Sequence, residues 1–130
     1  ETSLVRRLGK IATFTIGTAP PPIVEPVVDE HGLVNVPASM YLFTFEGPVR
    51  DAVGAAFGDP VVRQVKLGLE RLRTRERGVL HLWLHPNNVT TDRDRTRLQE
   101  IASLIADYRD RNAIEVEPMR RIARRIRTDE

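Results

Sequence analysis

The chain has 130 residues, which is the length of one small domain or of part of a larger one. It contains no cysteine, so disulfide scaffolds, thiolate metal sites and cysteine nucleophiles are excluded, while the cellular compartment stays open. The 20 basic and 18 acidic residues give a net charge of +2. Such a small excess argues against a dedicated polyanion-binding protein. No apolar run reaches the roughly 20 residues that span a bilayer.

The charge divides the chain into two parts. Residues 1–58 carry four basic and six acidic residues, whereas residues 59–130 carry 16 basic and 12 acidic residues. The first part contains three consecutive prolines at positions 20–22, which are typical of a rigid, extended chain. We therefore interpret residues 1–58 as an irregular proline-rich segment with short strands, and residues 59–130 as an α/β portion. The candidate strands of the first part are Ile11–Ile16, Leu33–Val36 and Met40–Phe45.

A helix is predicted to begin at Asp59, a good N-cap, with Pro60 in the first helical position. Its apolar residues recur at helical spacing and are Val62, Val65, Leu69 and Leu72. Gly78 is predicted to end this helix as a left-handed cap. The apolar stretch Val79–His85, which Pro86 closes, then predicts a short strand.

A second helix is predicted from Thr91, because Asp94 three residues later resembles a capping box with a shorter acid. Its apolar stripe is Leu98, Ile101, Leu104, Ile105 and Tyr108. Asn112 is predicted to stop this helix. Ala113–Glu117 alternates as a strand, and Pro118 begins a last helix. The residues that this last helix is expected to bury are Met119, Ile122, Ala123 and Ile126.

The order helix, strand, helix, strand, helix favours parallel strands with crossover helices. We expect Val79–Leu84 and Ile114–Glu117 to be neighbouring parallel strands, joined by the helix around Leu98–Tyr108. So few strands would leave sheet edges exposed and would bury too little on both faces. The α/β portion therefore looks like the end of a larger sheet or barrel. Because the first residue is Glu1 and not methionine, we also expect the chain to lack its N-terminal neighbours.

The side chains that could take part in a chemical reaction lie in residues 79–88. Side chains alternate along a strand, so the three leucines are expected to face covering helices, while His81, Trp83 and His85 face the other way. His85 is the last strand residue before a Pro-Asn-Asn loop, and chemistry in α/β sheets and barrels lies at the carboxyl ends of strands. A histidine there suits proton transfer. The simpler alternative is a half-exposed, hydrogen-bonded histidine with no chemical role.

A metal site made by two histidines of this strand is rejected. His81 and His85 would lie roughly 13 Å apart, which is too far for two ligands of one ion. His31 lies beside Gly32 in what reads as a turn, and we expect it to face solvent.

The residues His81-Leu82-Trp83-Leu84-His85-Pro86, followed by Asn88, resemble the last conserved motif of polysaccharide deacetylases of the NodB-homology type (carbohydrate esterase family four). Two flanking segments agree in order. Residues 32–39 resemble the strand that precedes this motif, and residues 114–119 resemble the closing strand and helix. The resemblance covers residues 30–126 of this sequence.

This resemblance implies that the chain is the C-terminal portion of a distorted (β/α) barrel with parallel strands and crossover helices. It implies a metal-dependent hydrolase that removes acetyl groups from an N-acetylated polysaccharide or oligosaccharide. His85 would protonate the leaving amine, and Trp83 and Leu82 would line the pocket for the acetyl methyl. An Asp-His-His triad would hold the divalent metal, usually zinc, and a nearby aspartate would activate the water.

The chain also departs from the family pattern. It has no Thr-Phe-Asp-Asp segment and no His-x-x-x-His pair on a helix or loop, where two histidines would have zinc-ligand spacing. Asn87 stands where many relatives have a second histidine, and Asn35 where many have glutamate. We therefore expect the chain alone to bind no catalytic metal and to be inactive. Either the missing N-terminal part of the same domain supplies these motifs, or the chain is a degenerate relative.

Two non-enzymatic classes stay open. One is a carbohydrate-binding or assembly module in which Trp83 stacks on a sugar, although large aromatic residues are commonly packed against their neighbours. The other is a nucleic-acid-binding module, prompted by arginines of the last helix. They are Arg120, Arg121, Arg124, Arg125 and Arg127. A charged, solvated helix face is the common explanation of such a run, and neither an aromatic platform nor a glycine-rich loop accompanies it.

Overall fold

The computed structural model describes residues 5–6, 8–9, 19–43 and 47–128. The four main helices are α1 (Pro48–Phe57), α2 (Pro60–Arg73), α3 (Asp92–Asp110) and α4 (Met119–Thr128). The strands of the described chain are β1 (Val27–Val28), β2 (Val34–Asn35), β3 (Met40–Tyr41) and β4 (Leu82–Trp83), and a 3-10 turn covers Pro86–Asn88. Helices thus accompany two small two-stranded sheets, one antiparallel and one parallel, which is compatible with the predicted α/β class. The strand predicted over Ile11–Ile16 lies outside the described residues.

β3 and β4 form a parallel pair, with Met40 opposite Leu82 and Tyr41 opposite Trp83. Parallel strands need a crossover connection, and here the chain between the two strands contains α1 and α2. The described chain therefore holds one strand–helix–strand unit. The sequence did not predict α1, because residues 1–58 were interpreted as irregular.

The predicted pairing of Val79–Leu84 with Ile114–Glu117 is wrong. Residues 114–117 belong to no strand, and the strand that pairs with β4 is β3. Both segments line one cavity of about 660 Å³. The segment is held instead by the helix that follows it, since Arg125 of α4 pairs with Glu115 and Glu117.

The ends of α2 are only partly as predicted. Asp59 is the N-cap, and its Oδ1 accepts the Val61 N–H at 2.9 Å. Pro60 occupies the first helical position, where its missing N–H costs no hydrogen bond. The helix ends at Thr74, however, and not at Gly78.

Gly78 serves a close approach of two chain segments. Its φ is +134°, a conformation that L side chains rarely adopt, and a Cβ there would lie 2.4 Å from Ile23 Cγ2. The close approach allows Val24 and Val79 to exchange two backbone hydrogen bonds, at 3.0 and 2.7 Å. Gly78 therefore allows the proline-rich segment to pack closely against the start of the β4 segment, and it does not end a helix.

The predicted capping box of α3 is confirmed. Thr91 Oγ1 accepts the Asp94 N–H at 3.2 Å, and Asp94 Oδ2 accepts the Thr91 N–H at 2.8 Å. At the other end, α3 stops at Asp110, and Asn112 has a φ of +55°. Asparagine tolerates this left-handed conformation better than most residues, so the predicted stop is also confirmed.

α4 begins directly after Pro118, as predicted, and packs against the β1–β2 hairpin. Ile122 is buried there, but Met119 is 46% exposed, so the prediction that it is buried is wrong. The hairpin has only two residues in each strand and covers only part of the apolar stripe of α4. In the hairpin turn, Asp29 Oδ1 accepts the N–H groups of His31 and Leu33. The His31 side chain is 75% exposed, as expected for a turn.

The main core lies between β3, α2 and α3. Its buried residues come from both predicted parts of the sequence and are Met40, Leu42, Phe43, Val61, Val65, Leu69, Ile101 and Tyr108. Apolar burial of this kind is the largest favourable term in folding. No helix of the described residues is long and apolar enough to cross a membrane.

One charged pair lies within this core. Arg97 of α3 is 1% exposed, and its Nε donates to Asp59 Oδ2 at 2.6 Å. Another guanidinium nitrogen of Arg97 donates to the Leu42 carbonyl at 3.3 Å, and its Cζ lies 5.2 Å from the Phe43 ring centroid. A buried guanidinium needs such partners, because taking a charge out of water is costly.

We expect Asp59→Asn to lower the free energy of unfolding by about 3 kcal/mol. Asparagine keeps the helix cap but replaces the carboxylate that Arg97 Nε meets at 2.6 Å with a neutral amide. Asp110→Asn is the matched control, because it breaks an exposed pair with Arg109 that contributes at most about 1 kcal/mol. Urea denaturation of both variants measures the difference. Equal losses would contradict the structural role assigned to the buried pair.

Candidate functional site

The side chains around β4 alternate as the sequence predicted. Leu80, Leu82 and Leu84 are partly buried and pack against the core. Trp83 and His85 lie on the opposite side and are exposed, with ring centroids 5.2 Å apart and planes at 85°. The regular strand is shorter than predicted, but its alternation still brings these two rings together.

Tyr41 joins them from the neighbouring strand. It pairs directly opposite Trp83, and the two ring centroids are 4.4 Å apart with planes at 31°. The Tyr41 ring also lies 6.3 Å from the His85 ring, at 68°. We call Tyr41, Trp83 and His85 the aromatic surface. It lies at the carboxyl ends of two parallel strands, and Trp83 within it is 37% exposed.

The turn after β4 fixes the backbone of His85. Pro86 has no N–H, so a strand ladder cannot continue through it. Asn88 instead folds back, and its N–H donates to the His85 carbonyl at 2.9 Å. Its Oδ1 accepts the backbone N–H of His85 at 3.2 Å and also accepts the Tyr41 hydroxyl. The amide of Asn88 therefore connects both strands of the parallel pair.

The side chain and backbone of His81 both form hydrogen bonds with the chain that precedes β3. Its Nδ1 lies 3.1 Å from the Val36 carbonyl oxygen and 3.2 Å from that of Pro37. Both neighbours are acceptors, so Nδ1 is the nitrogen that carries the proton. The His81 backbone N–H donates to Ser39 Oγ at 3.0 Å. These contacts tie β4 to the chain that leads into β3.

The structure separates the three site residues that the resemblance suggested. Trp83 and His85 share the aromatic surface, whereas Leu82 faces the core on the other side of β4 and lines the 660 Å³ cavity. Sequence reasoning missed Tyr41 as a site residue. Its only signal was a place within the predicted strand Met40–Phe45, because the parallel pairing that brings it to Trp83 spans 42 positions of the chain.

The metal implied by the resemblance has no binding site among the described residues. They contain no group of three or more His, Asp or Glu side chains that could hold an ion. The described part of the chain therefore does not fit a catalytic metal centre.

Three arginines of α4 contact other parts of the chain. Arg125 pairs with Glu117 at 2.8 Å, and Arg121 pairs with the same carboxylate at 3.3 Å. Arg127 donates to the Gly32 carbonyl at 3.0 Å. These contacts give the arginine-rich helix a role in attaching the β1–β2 hairpin and the preceding segment.

Comparison with protein-family profiles, with curated proteins and with solved structures found no match to this chain.

The clearest electrostatic coupling lies between α2 and α3. The Tyr108 hydroxyl donates to Glu70, and this hydrogen bond, together with one from Arg73, holds the pKa of the Glu70 carboxyl below its usual value. Burial, followed by the same bond to Glu70, raises the pKa of Tyr108.

Two opposing effects also act on the pKa of Asp94. Burial raises the pKa of Asp94, but hydrogen bonds from the side chains and backbones of Thr91 and Thr90 outweigh it and lower the pKa overall. The folded state therefore favours the ionised form of this carboxylate, as it does that of Glu70.

We expect Tyr108→Phe to reduce the acid sensitivity of the fold. A carboxylate whose pKa is lowered by folding stabilises the protein above its unfolded pKa, which is 4.5 for Glu70, and this contribution is lost as the pH falls through the folded pKa. Without the Tyr108 hydroxyl, the free energy of unfolding should fall less steeply below pH 4.5. Urea denaturation at a series of pH values measures the slope.

Tyr41→Phe is the matched control, since Tyr41 donates to the neutral amide of Asn88 and not to a carboxylate. It should keep the wild-type slope. An unchanged slope in Tyr108→Phe would contradict the assignment of the coupling to this hydroxyl. Part of the slope should remain in this variant, because Arg73 still lowers the pKa of Glu70 and the threonine hydrogen bonds still lower that of Asp94.

Proposed function

We propose that this chain is the C-terminal part of a polysaccharide deacetylase-like hydrolase that acts on the N-acetyl groups of a sugar polymer or oligosaccharide. The observation that supports it is the aromatic surface, where the exposed rings of Trp83 and His85 lie 5.2 Å apart. Ligands of barrels and open α/β sheets bind at the carboxyl ends of parallel strands, where these rings lie. The motif that His81–Pro86 resembles gives both rings a role.

Trp83 is the proposed contact for the sugar, and His85 is the proposed proton donor. The indole offers a broad apolar face with a polar N–H at its edge, which suits a ring that has C–H bonds on its faces and hydroxyls at its rim. Amide hydrolysis expels an amine, which must gain a proton before it leaves. An exposed histidine beside the bound sugar can deliver that proton.

The proposed enzyme is larger than the described part of the chain. Its metal ligands and water-activating aspartate are proposed to lie in the N-terminal part of the same domain, which is thus the intramolecular partner of this segment. The complete domain is proposed to be a distorted (β/α) barrel. The unit formed by β3, α1, α2 and β4 supports this proposal, because barrels of this kind repeat parallel strands with helical crossovers.

In the whole protein, His85→Ala is expected to lower kcat on N-acetylglucosamine oligomers by about 10²–10⁴-fold, the usual contribution of general acid catalysis. The metal content should stay unchanged, because His85 is proposed as a proton donor and not as a ligand. The loss should shrink for an activated acetate ester, whose leaving group needs no proton. Steady-state kinetics and metal analysis test both points.

His81→Ala is the matched control for this experiment. His81 binds backbone carbonyls with Nδ1, so its removal should mainly lower the Tm. It should lower kcat less than His85→Ala does. A His85→Ala variant that loses its metal would identify His85 as a ligand. A variant that keeps full activity would remove the proposed role of His85 altogether.

A non-catalytic sugar-binding module is the second candidate. The observation that favours it is the 4.4 Å stacking of Tyr41 on Trp83, which makes a broad apolar platform without requiring any chemistry. Trp83→Ala should abolish sugar binding in either case. Binding of chitin oligosaccharides without any release of acetate by the whole protein would select the module over the hydrolase.

A further inference from the structure

Tyr41 lies outside the motif that suggested the function, yet it contacts every part of the aromatic surface. Its ring stacks on Trp83 at 4.4 Å and lies 6.3 Å from the ring of His85. Its hydroxyl donates to Oδ1 of Asn88, the oxygen that also accepts the His85 backbone N–H. One side chain of β3 thus supports both exposed rings on β4.

The orientation of the Asn88 amide follows from its partners. A backbone N–H can only donate, so the atom facing His85 must be the amide oxygen. The same oxygen faces the Tyr41 hydroxyl, which therefore acts as the donor. The half-buried Asn88 amide then holds the turn in one position relative to β3, because its oxygen is bound from two directions.

We propose that Tyr41 is the positioning residue of this site. Through Asn88 it holds the backbone of His85 so that the imidazole stands edge-on to the indole of Trp83. Its ring also covers one face of that indole, so a sugar ring stacks on the other face, next to His85. The assignment of a sugar as the ligand rests on the proposed function, whereas the positioning of His85 does not.

The first test needs no ligand. Trp83 is the one tryptophan of the chain, so its indole signals are unambiguous in NMR spectra. The wild type should show nuclear Overhauser contacts between the Trp83 and His85 rings, and Tyr41→Phe should weaken them at least twofold. Tyr108→Phe is the matched control: it removes the hydroxyl of the other tyrosine and should leave these contacts unchanged.

The second test measures binding of N-acetylchitotetraose by the fluorescence of Trp83. Tyr41→Phe should raise the Kd by about 3- to 10-fold, the factor expected for one neutral hydrogen bond that orders a site. Tyr108→Phe should leave the Kd within about twofold of wild type, even where its stability is lower. Such a pattern separates positioning from a general loss of stability.

The third test asks whether Tyr41 acts through Asn88. Asn88→Ala should weaken the ring contacts and binding, and adding Tyr41→Phe to it should cause no further loss. Asn88→Asp keeps an acceptor oxygen and should preserve the ring contacts. Additive effects of Tyr41→Phe and Asn88→Ala would contradict the proposed connection.

The outcomes distinguish the two proposals. If N-acetylchitotetraose fails to bind the wild-type protein, the proposed sugar ligand is wrong, and the ring contacts alone decide the role of Tyr41. If Tyr41→Phe leaves the ring contacts intact, the positioning role is overturned whatever the protein binds.

Discussion

The buried pair of Asp59 and Arg97 is the interaction on which the described fold depends. One oxygen of Asp59 caps α2, and the other accepts from Arg97 of α3 at 2.6 Å. The same guanidinium reaches the Leu42 carbonyl at the end of β3 and lies over the Phe43 ring. Because Arg97 is almost completely buried, its charge is tolerated only where these partners meet it. The start of one helix, the position of another and the end of a strand are thereby set together.

The geometry of the aromatic surface depends on this core. Leu42 follows Tyr41 directly, and its N–H donates to the Trp83 carbonyl at 3.1 Å. Met40 and Leu42 are buried, whereas Tyr41 between them is only partly buried and its ring lies against that of Trp83. A slip of one residue would exchange the two sides, burying Tyr41 and exposing its apolar neighbours. By holding the Leu42 carbonyl, Arg97 works against that slip and keeps Tyr41 opposite Trp83.

Most of the helix ends that local signals in the sequence predicted are confirmed, although not the one expected at Gly78. The caps at Asp59 and Thr91 and the stop at Asn112 depend on a side chain and the backbone within a few residues of it, so the sequence contains all the information they need. The pairing of β4 could not be predicted in the same way. Ala113–Glu117 alternates like a strand, but the structure places it in no sheet, and its two glutamates pair with Arg125 of α4. The alternation of side chains over two residues is too short to indicate which segment pairs with β4. Tertiary contacts determine that pairing instead.

The candidate site shows the same division between local and long-range information. Alternation along β4 was enough to place Trp83 and His85 on one side, because it depends only on the geometry of an extended chain. Tyr41 belongs to the site because of a pairing between distant parts of the sequence, and alternation within β4 does not reveal that pairing.

The two histidines of this segment show what finally separates a structural residue from a candidate functional one. Both are the same residue type, four positions apart near one short strand. His81 meets two backbone carbonyls that occupy its Nδ1 proton, and these carbonyls belong to the chain that leads into β3. His85 lies beyond the end of β4, where Pro86 stops the ladder and Asn88 takes over its backbone N–H. Its ring is therefore left exposed beside the indole of Trp83, which is the position that the proposed function requires.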